Sequence, residues 1–159
     1  MNKDEVQNTG DPGNPRPGWI STNRASQWLR DRGPERQQSS LHILIVEDEL
    51  LPAVMLEIAV TDAGHIAHKV ARLSKAMELA SAGPFDAAVL DVNLADELVF
   101  PLAALLRKRG IPFLFASGCG KAGLPREYRD CAVLQKPYSL DEFDSALRAV
   151  LRGPNHGAG

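Results

Sequence analysis

Acidic, hydroxyl and lysine side chains follow apolar runs at several distant points of the chain. Glu47 and Asp48 come directly after one run, Asp91 and Ser117 end two others, and Lys136 follows a fourth. Three carboxylates brought together repel one another unless a cation joins them. A hard divalent ion with oxygen ligands, most plausibly Mg²⁺, removes that repulsion, and Ser117 and Lys136 would then face an anion held near the metal.

This chemistry requires a fold in which the apolar runs end at one place. Each run has the length of a buried strand, and the runs alternate with stretches of helical spacing. That alternation predicts an α/β fold, with right-handed crossovers and a doubly wound five-stranded parallel sheet flanked by helices. The strands are placed at residues 41–46, 65–71, 86–91, 111–117 and 131–135.

The carboxyl ends of parallel strands lie along one edge of the sheet, where open α/β sheets bind ligands. Each polar residue alone has an ordinary alternative, such as a helix cap, a turn hydroxyl or a surface lysine. Four strand ends would have to acquire such groups independently for that alternative to hold throughout. The combination therefore favours a functional site.

Apolar residues at helical spacing indicate how the helices pack. The first helix is predicted to turn inward an apolar stripe that consists of Leu51, Val54, Met55 and Ile58. The helix after Asp91 is predicted to do the same with Leu98, Leu102, Leu105 and Leu106. Residues 118–130 should hold the fourth helix, but Gly120, Gly123 and Pro125 disfavour it. That helix is expected to be short or mobile.

A chain of 159 residues suits one domain with a substantial core. The alternating pattern occupies residues 41–152. Residues 1–40, rich in Gly, Pro and polar side chains, are expected to be a mostly disordered extension with an optional short helix at 21–32. Residues 153–159 are expected to be a flexible tail, and no output domain is expected after Arg152.

Composition excludes several classes of partner. The formal net charge is −2, and no basic stripe is present that could neutralise many phosphates, so nucleic-acid binding is not expected. No apolar run reaches the length of a membrane span. The two cysteines have no disulfide or zinc spacing, so a reducing, cytoplasmic setting is expected.

Residues 41–152 resemble the receiver domains of response regulators, the CheY-like superfamily. The motifs that carry the resemblance are Ile43-Leu44-Ile45-Val46-Glu47-Asp48, Val89-Leu90-Asp91, Phe115-Ala116-Ser117 and Gln135-Lys136-Pro137-Tyr138. The resemblance implies that this chain accepts a phosphoryl group from a histidine kinase or phosphotransfer protein, with Mg²⁺ as cofactor. It also implies that the chain catalyses only its own phosphorylation and dephosphorylation and is not an enzyme in the usual sense.

Roles follow from the resemblance residue by residue. Asp91 looks like the phosphoacceptor and Asp48 like a direct Mg²⁺ ligand, while Glu47 would act through water. Asn93 would supply its backbone carbonyl to the metal. Ser117 and Lys136 stand where the family has its hydroxyl and its lysine, and the Lys136–Pro137 peptide bond is implied to be cis.

A narrower resemblance is to the Phe-Ala-Thr-Gly-Tyr ("FAT GUY") subgroup of single-domain receivers, here Phe115-Ala116-Ser117-Gly118-Cys119. Ser117 replaces Thr and Cys119 replaces Tyr. As in that subgroup, the fifth strand lacks an aromatic residue and has Val133 instead. The subgroup implies histidine kinases of the HWE or a related type as partners.

Two other classes of protein are compatible with these residues. One is a haloacid-dehalogenase-like phosphohydrolase, which favours Asp where this chain has Asn93. The other is a phosphorylation-independent interaction module with a vestigial site. The receiver interpretation itself leaves open a phosphoryl carrier, a sink or a phosphorylation-controlled binder, either monomeric or weakly dimeric.

Overall fold

The computed structural model describes residues 39–153, which form the predicted three-layer α/β domain. The strands are β1 (His42–Val46), β2 (Ile66–Val70), β3 (Ala87–Asp91), β4 (Asn93–Leu94), β5 (Glu97–Leu98), β6 (Phe113–Ser117) and β7 (Ala132–Gln135). The helices are α1 (Leu50–Asp62), α2 (Leu73–Ala82), α3 (Phe100–Lys108) and α4 (Leu140–Leu151). The predicted extension over 1–40 and tail over 153–159 lie almost wholly outside the described residues.

Five strands form one parallel sheet in the order β2-β1-β3-β6-β7. Its register brings the predicted strand ends side by side. Val46 pairs with Leu90, Asp91 pairs with Ala116, and Ser117 pairs with Gln135. The residues that follow β1, end β3 and β6, and follow β7 therefore meet at one edge, as predicted.

Helices cover both faces of the sheet, and each face buries its own apolar cluster. One cluster joins Leu44, Leu90 and Phe115 of the strands to residues of α2 and α3. The other joins Ile43 and Ile45 to α1 and α4. Alternate strand residues face opposite layers, so these nearly continuous apolar strands are buried on both sides.

The inward face of α1 differs from the prediction. The stripe of Leu51, Met55 and Ile58 is exposed by 71%, 42% and 50%, whereas Ala53, Leu56 and Val60 are buried. The helix is apolar on nearly every side, so spacing alone could not identify the face that meets β1 and α4. The first turn adds Leu50, exposed by 79%.

The connection after β3 also differs from the prediction. Leu98 does not belong to a helical stripe, because residues 93–98 form an antiparallel hairpin with the pairs Asn93–Leu98 and Leu94–Glu97. Its two-residue turn, Ala95-Asp96, has φ values of 45° and 71°. Helix α3 begins only at Phe100 and buries Leu102 and Leu106, as predicted for that part of the stripe.

Residues 118–130 contain no α-helix, in keeping with their glycines and proline. Two 3₁₀ turns, Gly120–Gly123 and Arg126–Tyr128, take its place. Leu124 and Tyr128 anchor the segment in the core, and the Tyr128 ring stacks on Phe100 with centroids 5.5 Å apart. The segment thus has two 3₁₀ turns where a short or mobile fourth helix was expected.

Cys119 and Cys131 are free thiols. Among residues 39–153, each helix is too short or too polar to cross a lipid bilayer.

Candidate functional site

The predicted site residues converge at the carboxyl edge of the sheet. Glu47, Asp91 and Ser117 are exposed by only 3%, 7% and 5%, and within residues 39–153 no other polar or charged residue is buried to this degree. Isolated ionised groups are costly to bury, so buried ones are generally paired or bind metals. The carboxyl edge is therefore the part of the described domain where apolar packing gives way to polar chemistry.

One carboxylate oxygen from each of Glu47, Asp48 and Asp91 lies within 4.8 Å of the other two. Asp48 is the most exposed of the three residues. Asp91 comes from the end of β3, in the centre of the sheet, while the other two follow the neighbouring β1. The parallel register, rather than any local motif, produces this cluster.

Lys136 bridges two of these carboxylates. Its Nζ donates to Asp91 Oδ2 at 3.0 Å and to Glu47 Oε2 at 3.1 Å. Burial lowers the pKa of Lys136, but hydrogen bonds to Asp91 and Glu47 and their charges outweigh it, so the pKa is raised. The lysine is therefore a firmly charged ammonium at neutral pH.

Burial dominates at Glu47 and raises the pKa of its carboxyl group. The nearby Asp91 charge also raises that pKa, while the Glu49 backbone hydrogen bond and Lys136 oppose the increase. One ammonium cannot balance three carboxylates. The site thus keeps an excess of negative charge, which a divalent cation would compensate.

Backbone amides hold the carboxylates in place. The Glu49 N–H donates to Glu47 Oε1 at 3.0 Å, and the Asn93 N–H donates to Asp91 Oδ1 at 3.2 Å. The amide of Asn93 is thus in contact with Asp91. The predicted use of its carbonyl as a metal ligand stays a prediction.

The contact of Asp48 with the hairpin was not predicted from the sequence. The backbone N–H of Ala95 donates to Asp48 Oδ2 at 3.1 Å. A backbone donor leaves no signature in side-chain type, and residues 48 and 95 are far apart in the chain. The turn between Leu94 and Glu97 also lacks the Asn-Gly sequence typical of such turns, so no signal in the sequence indicates this contact.

Ser117 ends β6 beside the lysine strand. Its Oγ accepts the backbone N–H of Cys119 at 3.2 Å, and its carbonyl accepts the Lys136 N–H at 2.9 Å. The hydroxyl can still donate its proton, since both described contacts use it or its carbonyl as an acceptor. The position suits a donor to an anion beside Asp91.

The turn after β7 sets the position of Lys136. The Lys136–Pro137 peptide bond is cis, as predicted. Immediately afterwards, Ser139 and Glu142 form a capping box at the start of α4. The lysine is thereby held between a sheet strand and a capped helix, and its ammonium points back to the acidic cluster.

The donor set fits magnesium. Carboxylate oxygens are hard ligands of the kind that Mg²⁺ prefers, and Mg²⁺ commonly uses one or two carboxylates while keeping water and phosphate oxygens. Thiols and imidazoles, which favour softer metals, are not part of the described cluster. The three carboxylates could therefore hold Mg²⁺ at the carboxyl edge of the five-stranded parallel sheet.

Comparison with known proteins specifies the family. The chain is 40% identical to SdrG from Sphingomonas melonis, with 70% of this chain and 97% of that chain covered and a TM-score of 0.63. The HemR receiver domain from Leptospira biflexa is 27% identical, with 70% and 94% covered and a TM-score of 0.61. No protein-family model matches the chain.

Among curated proteins, the transcriptional regulatory protein TcrA of Mycobacterium tuberculosis is 37% identical over 134 residues, which is 77% of this chain and 52% of TcrA. The chain thus spans about half the length of the curated relatives it matches. The chain belongs to the response-regulator receiver family of two-component signalling systems.

Proposed function

We propose that this protein receives a phosphoryl group on Asp91 from the phosphohistidine of a histidine kinase or phosphotransfer protein, in a Mg²⁺-dependent reaction. The observation that carries the proposal is the placement of Asp91. It is buried at the carboxyl edge of the central strand, with an ammonium at 3.0 Å and two more carboxylates within 4.8 Å.

In the transfer, one Asp91 carboxylate oxygen forms a bond to phosphorus as the bond from the histidine nitrogen to phosphorus breaks. The imidazole leaves with the electron pair of that bond. It leaves as neutral imidazole when its second ring nitrogen is protonated, and otherwise it takes a proton from solvent. A carboxylate is a weak nucleophile, so catalysis of this step depends on positioning and on neutralising charge.

The domain's own residues supply both. The Asn93 N–H fixes Oδ1 of Asp91. Lys136, already held at the same carboxylate, can shift its hydrogen bond to a phosphoryl oxygen, and the Ser117 hydroxyl can donate to another. Glu47, Asp48 and Asp91 would hold Mg²⁺, which supplies charge neutralisation between the carboxylate and the phosphoryl oxygens.

An exposed apolar ridge beside the site supports a protein as the phosphodonor. The ridge consists of Leu50, Leu51, Met55 and Ile58 on α1, all exposed by more than 40%. It begins at Leu50, two residues after Asp48, so it starts at the rim of the site. Contiguous exposed apolar surface of this kind marks protein-interaction sites, and a small-molecule donor would not need it.

The narrower assignment rests on the Phe115-Ala116-Ser117-Gly118 motif and on Val133. We infer that the protein belongs with the FAT GUY receivers, that its donor is a kinase of HWE or related type, and that it works in the cytoplasm. We also infer that it acts through docking, as a phosphoryl carrier, a sink or a phosphorylation-controlled binder.

Radiolabel transfer tests the function. With ³²P-labelled candidate kinases, the wild-type protein is expected to gain label in Mg²⁺ and to gain none in EDTA. Asp91→Asn is expected to gain none under either condition. The label should be released by alkali or hydroxylamine, as an acyl phosphate is.

Two control variants make the assay specific. Lys75→Gln, on the exposed surface of α2, should be labelled like the wild type. Leu51→Gln combined with Met55→Gln should be labelled more slowly by the kinase but normally by acetyl phosphate. Labelling of Asp91→Asn at the wild-type rate would contradict the phosphoacceptor assignment, and turnover of free phosphomonoesters would favour a hydrolase.

Residues 118–130 are predicted to carry the signal of phosphorylation. Val133 cannot perform the inward ring rotation of receivers that have a fifth-strand aromatic. The segment instead touches Ser117 directly, through the Cys119 N–H. When Ser117 and Lys136 engage a phosphoryl group, the segment should become more ordered, which would be an order–disorder switch.

Hydrogen exchange with and without beryllofluoride measures this change. Amides of residues 118–123 should become more protected, since Leu124 and Tyr128 already anchor the remainder. Solution structures exist for both SdrG and its BeF₃-activated conformation, so this mimic is a suitable probe. Equal protection of residues 118–130 in both states would place the signal on another face.

A further inference from the structure

The hairpin over residues 93–98 extends the site beyond the residues that sequence motifs identify. We propose that this hairpin positions the Asp48 carboxylate for Mg²⁺, and that the backbone N–H of Ala95 is the group through which it acts. The inference rests on the proposed function, because it concerns the metal that the phosphoryl transfer uses.

Asp48 is fixed differently from the other two carboxylates of the cluster. Glu47 and Asp91 each accept an amide from two residues further along the chain, and each also accepts the Lys136 ammonium. Asp48 lacks that lysine contact in the described structure. Within residues 39–153, its only side-chain hydrogen bond comes from Ala95, across 47 positions of sequence.

Asp48 is also the most exposed of the three carboxylates, so it has the greatest freedom to rotate away. The bond from Ala95 occupies Oδ2 and leaves Oδ1 available to a metal. A donor to the second oxygen of a ligating carboxylate fixes its orientation, and such outer contacts contribute substantially to metal affinity.

The hairpin is built to present this amide. Leu94 is 1% exposed and Val99 is fully buried, so both ends of the hairpin are anchored in the core. The Val99 N–H donates to the Val92 carbonyl at 3.1 Å, which closes the base. At the tip, Ala95 and Asp96 take left-handed φ values, a two-residue turn in which the Ala95 N–H is outside the strand ladder.

The left-handed φ values of Ala95 and Asp96 form the tight turn that leaves the Ala95 amide outside the strand ladder. Ordinary residues rarely take this conformation, and such positions persist where surrounding structure determines them. The turn lacks the glycine that would make the conformation easy. We therefore assign Ala95 as a positioning residue, which acts on the metal through Asp48.

Mg²⁺ titration of two variants tests the assignment. Exchanging the Ala95 amide for an ester, with lactate in place of Ala95, replaces the N–H by oxygen, keeps the methyl side chain and makes the Leu94 carbonyl a weaker acceptor. It is expected to weaken Mg²⁺ binding about tenfold. Ala95→Gly keeps the N–H and suits the positive φ, so its affinity should equal or exceed that of the wild type. The same ester exchange at Asp96 is the matched control and should leave the affinity unchanged.

A metal-free measurement provides the second readout. In EDTA, the Ala95 amide proton should resonate downfield and resist exchange in the wild type, and should lose both properties in Asp48→Ala. Wild-type affinity in the Ala95 ester variant would overturn the assignment. If the wild type itself failed to bind Mg²⁺, the proposed function would fail, and an unchanged Ala95 amide in Asp48→Ala would separately reject the contact.

Discussion

Asp48→Asn and Asp91→Asn are each expected to bind Mg²⁺ at least about tenfold more weakly than the wild type. Each substitution removes one unit of negative charge from a cluster whose oxygens lie within 4.8 Å of one another. At about 4 Å and an effective dielectric constant near 20, one charge pair is worth about 4 kcal/mol. A tenfold loss needs only about 1.4 kcal/mol.

The expected loss is smaller than the full charge-pair energy because a neutral Asn costs less to desolvate than a carboxylate when the metal binds. That saving offsets part of the lost attraction. Titration followed by NMR of residues 47, 91 and 117, at constant ionic strength, gives the affinities. Asp62→Asn is the matched control, because it removes the same charge from the end of α1 at the opposite edge of the sheet. Equal affinity in the wild type and both site variants would reject the metal assignment.

The convergence of the site was predictable because it depends on topology rather than on side-chain detail. Once Val46, Asp91 and Ser117 are recognised as ends of parallel strands, the sheet must place them at one edge. The same holds for Lys136, which follows β7. Glycine and proline likewise predicted that any helix over residues 118–130 would be poor, and the segment has two 3₁₀ turns instead.

The face of α1 was not predictable from periodicity. Leu51, Met55 and Ile58 have helical spacing, but Ala53, Leu56 and Val60 have it as well. Contacts with β1 and α4 decide between the two stripes, and those contacts exist only in the folded domain. A second apolar stripe that stays exposed is typical of a protein-binding surface. This agrees with the proposal that the phosphodonor is a protein.

The hairpin after β3 was missed for a related reason. Leu98 lies at helical spacing from Leu102 and Leu105, so the pattern favoured an earlier helix start. The turn residues Ala95 and Asp96 lack the Asn-Gly or Gly signal that identifies a two-residue hairpin. Burial of Leu94 and the bond to Asp48 hold the turn, and neither is visible in local sequence.

Removal of the Lys136 charge is expected to affect metal binding and phosphorylation in opposite directions. In the metal-free site, the ammonium donates to Asp91 and Glu47. It therefore neutralises part of the carboxylate charge that would otherwise attract Mg²⁺. Lys136→Met keeps the aliphatic stem but not the charge. Its Mg²⁺ affinity should equal or exceed that of the wild type, while phosphoryl transfer to Asp91 should fall sharply.

Stability should report the same competition. Without Lys136, two largely buried carboxylates lose their cation, so the metal-free variant should be less stable by about 1–3 kcal/mol. Mg²⁺ should raise the Tm of Lys136→Met more than that of the wild type, because a ligand stabilises the state it binds more tightly.

The pH dependence has a definite sign. The pKa of Lys136 is raised above its ordinary value of 10.5, so its contribution to folding stability is complete at neutral pH and is lost as the pH rises through the raised pKa.

Arg148→Met, which removes a cation from the surface of α4, is the control for Lys136→Met and should leave the Mg²⁺-induced rise in Tm unchanged. A loss of Mg²⁺ affinity in Lys136→Met would contradict the competition between ammonium and metal.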